Sequence, residues 1–140
     1  MSQLNVDKLS GKGTYGSISV VGEGNSVTTN LQNGLSKAWW QYDQTNDTTD
    51  GSFNVSGIVD DATGLYTVTM TNIQSSITDR SIQLTSNHES GDGNGRSSCV
   101  RHDVSGSFTT SAITCEVFYN DSYALADNNH NFGNVYGGLA

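Results

Sequence analysis

Short stretches of this chain alternate apolar and polar residues with a period of two, the signature of half-buried β-strands. In 36–43, Ala38, Trp40 and Tyr42 fall on one face, with Trp39 and Gln41 on the other. That predicts a strand with at least one tryptophan in the core. Residues 53–59 alternate until Gly57, where the apolar phase slips by one residue, as at a β-bulge. Asp60, Asp61, Ala62, Thr63 and Gly64 then read as a hairpin loop whose glycine supplies a positive φ. Residues 65–71 return with Tyr66, Val68 and Met70 on one face. Further strands are expected at 17–21, 27–31, 80–86 with Ile82 and Leu84 inward, 108–110, and 112–119 with Ile113, Cys115, Val117 and Tyr119 on one face.

Between these stretches lie polar segments without periodic apolar content. Residues 43–52 are read as an exposed acidic loop, and 87–98 as a second loop rich in Gly, Asp, Asn and Ser. At the N-terminus, 1–16 is polar, with Leu4, Val6 and Leu9 as its main anchors, and is read as an arm. Alternation stops after Asn120, so 121–140, carrying Phe132, Val135 and Tyr136, is read as a C-terminal arm. The organisation predicted is therefore an N-terminal arm over 1–16, a body over 17–120 and a C-terminal arm over 121–140. About seven or eight short strands at intervals of roughly ten residues predict an all-β fold, an antiparallel β-sandwich or jelly roll.

Composition narrows this further. Only 34% of the residues are hydrophobic, so the 140 residues supply one core. Six Lys and Arg against 14 Asp and Glu leave a net charge of −8. The basic residues Lys8, Lys12, Lys37, Arg80, Arg96 and Arg101 form no stripe, which argues against nucleic acid and anionic membrane as partners. Apolar runs of about four residues fall far short of the roughly 20 that span a bilayer. The first seven residues have neither a charged n-region nor an apolar h-region, so no secretory signal is expected. In a cytosolic product Cys99 and Cys115 are then expected as free thiols, and the sequons at Asn46, Asn54 and Asn120 carry no glycan.

Candidate chemistry is thin. His102 and Asp103, with His88 or Glu89 in the preceding loop, form the strongest acid–base suspect. Ser97, Ser98 and Cys99 lie nearby, but no Gly-x-Ser-x-Gly elbow holds a nucleophile, so these residues read as solvated and no catalytic residue is assigned. Asp43, Asp47, Asp50, Asp60 and Asp61 only loosely follow a calcium loop and lack its flanking helices. They read as solvated carboxylates, and neither a metal nor a cofactor is expected. Trp39 or Trp40, Tyr15 and Tyr123 are candidates for stacking on a sugar, although strand aromatics more often serve the core or a subunit interface.

Residues 34–42 (GLSKAWWQY), 52–56 (SFNVS) and 63–68 (TGLYTV) occur in an order that resembles a β-rich domain of tail fibres and small virion proteins of marine and cyanobacterial tailed phages. The resemblance covers about residues 34–71. It implies a virion structural protein, made in the host bacterial cytoplasm, that assembles as a symmetric oligomer, a homotrimer, without a cofactor. Length and the two arms favour a capsid decoration (cement) protein whose Leu4, Val6, Leu9, Phe132, Val135 and Tyr136 contact the major capsid protein. The alternative is a tail fibre or a receptor- or glycan-binding tip that works with other tail proteins through its loops.

Overall fold

The computed structural model describes residues 5–8, 10, 18–21, 28–87, 95–101 and 108–138. The chain divides into two units, 1–35 and 36–140. In the first, β1 (Ser19–Val21) pairs antiparallel with β2 (Thr28–Asn30), and a single helical turn, α1 (Leu31–Gly34), follows. The Leu31 amide donates to the Ile18 carbonyl at 3.0 Å and closes this small motif. Of the expected N-terminal arm, Val6 is exposed; Leu4 and Leu9 lie outside the described residues.

The second unit is a β-sandwich of two antiparallel four-stranded sheets. The first sheet runs in the order β4 (Thr48–Phe53), β3 (Ser36–Asp43), β10 (Asn131–Gly137), β7 (Arg80–Ser86). The second runs β5 (Val55–Ala62), β6 (Leu65–Met70), β9 (Ala112–Tyr119), β8 (Arg96–Val100). Period-two alternation delivers Ala38, Trp40, Tyr42 and Val135 from one sheet and Tyr66, Val68, Met70, Ile113, Cys115 and Val117 from the other into one buried cluster. Ile82, Leu84, Val55, Ile58 and Val100 pack around it. The inward faces expected for β3, β6 and β7 are those observed. Phe108 makes an isolated bridge to Ile113 in place of the strand expected at 108–110.

Both edges of the sandwich are joined. Chain passes from β4 directly into β5 through Asn54, whose φ of 55° makes the sharp turn between sheets. Asparagine tolerates that left-handed conformation better than most residues, and here its side chain fastens the corner. Asn54 Nδ2 donates to the Lys37 carbonyl at 2.8 Å, and its Oδ1 accepts from the Asn72 amide at 2.8 Å. At the opposite edge the hydroxyls of Ser86 on β7 and Ser98 on β8 hydrogen-bond. The register slips between Val55 and Gly57, as the phase shift in the sequence predicts. Gly64 adopts φ +68°, and Ala62 pairs with Leu65, so the β5–β6 turn is tighter than the expected 60–64 loop.

Further expectations are corrected. Residues 43–52 and 87–98 are not simply loops, because 48–53 form the edge strand β4 and 96–98 belong to β8. More consequentially, 121–140 is not an arm. β10 lies inside the first sheet, paired along its length with β3 on one side and β7 on the other. Val135 is wholly buried. The reason lies in the inward positions of β10, Asn131, Gly133 and Val135, only one of which is apolar. Gly133 sits beneath the indole of Trp40, where an added Cβ would lie 2.0 Å from the ring. Asn131 is buried because its amide donates to the Asn128 carbonyl at 2.8 Å while its Oδ1 accepts from Ser86 at 2.9 Å.

A candidate binding face on the first sheet

Because β10 is central, its outward residues share a face with those of its neighbours. Phe132 lies opposite Gln41 of β3 and Thr85 of β7, and Asn134 lies opposite Trp39 and Gln83. These side chains border an open cleft of about 270 Å³ with Trp40 and Gly133 beneath. Trp39 and Phe132 remain 42% and 39% exposed, and Phe53, opposite Trp39 on β4, 54%. A Cβ on Gly51 would meet the Trp39 ring at 3.3 Å, so the glycine lets the indole lie close against β4. His130 stacks on Phe132, with centroids 6.5 Å apart and planes 18° from parallel.

Polar groups between the rings are partly fixed. Asn134 accepts from the Ser36 hydroxyl and donates to the Tyr136 hydroxyl at 3.0 Å. Gln41 Nε2 donates to Asp50 at 3.3 Å. Among the described residues no side-chain hydrogen bond engages Gln83 or Thr85, so their polar groups are available to a ligand. None of the residues lining the cleft carries a charge. Rings, primary amides and a hydroxyl on a pleated surface can stack on a flat ligand and hydrogen-bond its rim.

The residues proposed from sequence scatter. Of the six expected partner contacts, Leu4 and Leu9 are not described, Val6 is exposed in the first unit, Phe132 lines the cleft, Tyr136 is half-buried, and Val135 belongs to the core and cannot touch a partner. Among the sugar-stacking candidates, Trp39 is on the cleft, Trp40 is buried, Tyr15 is not described, and Tyr123 is exposed against Phe118 at the end of β9 in the other sheet. His88, Glu89, His102 and Asp103 lie outside the described residues.

The loop aspartates are engaged within the fold. Asp43 accepts from Asn46, Asp47 from the Tyr42 hydroxyl at 2.7 Å, Asp60 from Gln44 at 3.0 Å and Asp61 from Thr67 at 2.6 Å. Among the described residues no cluster of three metal-ligating side chains forms. Cys99 and Cys115 are free thiols. Cys99 pairs with Glu116, and Cys115 with Val100, so the two occupy adjacent rungs and face opposite sides of the sheet. Burial pushes the Cys115 thiol up to about 12, and burial with Glu116 beside it raises that of Cys99. Tyr42 and Tyr66 are also held above the ordinary phenol range, first by burial, then by Asp47 and Cys115 respectively.

Sequence reasoning missed Gln83, Asn134 and the position of Phe132. Once β10 is read as an arm, nothing in the sequence sets Phe132 beside Trp39. Among described residues no helix is long and apolar enough to cross a membrane. Compared with known proteins, the chain matches no family model, no curated protein and no solved structure.

Proposed function

We propose that this chain is a phage virion protein that serves as a binding module of the tail or its fibres, using the outer face of the first sheet to engage the host surface. The observation that carries this reading is the open cleft between Trp39 and Phe132 on the outer face of the first sheet. Phe53, Trp39 and Phe132 are exposed together on one face, and neighbouring exposed aromatics fit a partner that covers them. The virion assignment itself comes from the resemblance in residues 34–71. Capsid decoration through two draped arms loses one of them, because Phe132, Val135 and Tyr136 belong to a central strand and cannot leave it without opening the core. In a homotrimer, three such faces would raise a weak individual affinity through effective concentration.

Cryo-electron microscopy of the intact particle tests the reading. Density for this sandwich on the tail or its fibres, with the β3–β10–β7 face outward, is the expected result. Density repeated across the icosahedral shell would overturn it in favour of decoration.

A further inference from the structure

We infer that the cleft is a carbohydrate site, and that its ligand is a neutral oligosaccharide of more than one sugar lying across the strands. The inference deepens the proposed binding role and uses the same face. A pyranose presents two kinds of surface: patches of polarised C–H groups on its ring faces and a rim of hydroxyls that both donate and accept. Trp39 and Phe132 offer partly exposed aromatic rings, and the negative quadrupole of a ring face attracts such C–H groups. Gln83, Asn134 and Thr85 stand between and beside them with groups that both donate and accept, the pairing a hydroxyl rim needs.

Charge and length narrow the ligand. No cleft residue is charged, Asp50 borders the face through Gln41, and the whole chain carries −8. A carboxylated, sulfated or phosphorylated sugar would find no cation in the cleft and would meet a repulsive field. A protein partner of ordinary interface chemistry is less well matched, because within the cleft Trp39 and Phe132 are interleaved with the amides of Gln41, Asn134 and Gln83. Exposed aromatic residues extend from Phe53 on β4 through Trp39 on β3 to Phe132 on β10. That path crosses two strand spacings, about 10 Å, which is wider than one sugar ring.

The test is an array of neutral and anionic oligosaccharides probed with the full-length protein, followed by titration of the hits by calorimetry, with tryptophan fluorescence recorded in parallel. Neutral oligosaccharides are expected to bind, their monosaccharides at least about tenfold more weakly. Trp39→Ala and Phe132→Ala should each weaken binding about tenfold or more, with unchanged melting temperature, and Gln83→Ala by several-fold. Trp39→Phe keeps a ring, so it should retain binding while losing most of the fluorescence response, because Trp40 is buried.

Selective binding of anionic sugars, or binding unaffected by Trp39→Ala and Phe132→Ala, would overturn the inference. Absence of sugar binding would also overturn it, yet would leave the tail-binding role standing if the particle map placed the chain there. Sugar binding by a chain found on the capsid shell would do the reverse.

Discussion

Replacing Gly133 with alanine separates a central strand from an arm more cleanly than any other single change. An ideal Cβ at this position would lie 2.0, 2.2 and 2.4 Å from Cζ2, Cε2 and Cη2 of Trp40. Carbon atoms pack at about 3.5–4.0 Å, so the indole must withdraw by about 1.5 Å. It has nowhere to go. Trp40 is 1% exposed, its Nε1 donates to the Tyr66 hydroxyl at 3.4 Å, and the Tyr66 ring is in turn packed 5.2 Å from that of Tyr42.

Overpacking a tight core by one methyl typically costs about 1–3 kcal/mol, and a backbone-anchored clash against an immobile indole belongs at the top of that range. About 3 kcal/mol corresponds to a fall in Tm of about 10–15 °C for a domain near this size. Thermal and urea unfolding of Gly133→Ala read the effect directly. In a Trp40→Leu background, itself destabilised by the cavity it leaves, the added Gly133→Ala should cost less than about 1 kcal/mol, because the clashing ring is gone. A Gly133→Ala protein melting within about 2 °C of wild type would refute the placement of β10 against Trp40.

Other outcomes follow from the same structure. Gly64→Ala forces a side chain into φ +68° and within 2.5 Å of the Val117 carbonyl, so unfolding should show a loss of at least about 2 kcal/mol; an unchanged urea midpoint would contradict the turn. Cys115, Tyr42 and Tyr66 all have raised pKa values, so the folded state holds protons that the unfolded chain releases from about pH 9 to 10 upward. Their stabilisation is complete below about pH 8 and lost as pH rises through the folded values, and the urea midpoint should fall between about pH 8.5 and 11; a flat profile would count against their burial. At pH 8 without denaturant a thiol reagent should label Cys99 well before Cys115, and equal rates would contradict the opposite facing of the two. A chain beginning at Ser36 should melt within a few degrees of the full chain, since every buried core residue among those described lies in the second unit; loss of cooperative unfolding would show that residues 1–35 hold the sandwich together.

The sandwich was readable where both requirements of a strand, alternation and an apolar inward face, coincide. β3, β6 and β9 meet both, and their inward sets match those that the sequence predicts. β10 meets only the first. Its interior is Asn131, Gly133 and Val135, in which an asparagine is satisfied by Asn128 and Ser86 and a glycine yields its volume to Trp40. Two of those three compensating residues, Ser86 and Trp40, lie far away in the sequence, so the strand resembles a polar tail when read locally. β4 was hidden for a different reason. As an edge strand it is exposed at nearly every position, with Thr48, Thr49, Asp50 and Ser52 offering no apolar period. The binding face inherits both gaps. The sequence offers Trp39 only as one aromatic candidate beside Trp40, Tyr15 and Tyr123, and Phe132, Asn134 and Gln83 join it only through long-range pairing.

Adsorption of labelled protein to host cells, comparing wild type with the Trp39→Ala/Phe132→Ala double variant, tests the binding face most directly. The variant keeps the core, since both rings lie on the outer side of the sheet. Saturable binding by the wild type, reduced by about two orders of magnitude or more in a variant with the same Tm, is the result this account predicts. Equal adsorption by the two proteins would show that the β3–β10–β7 face is not the surface through which the chain reaches its host.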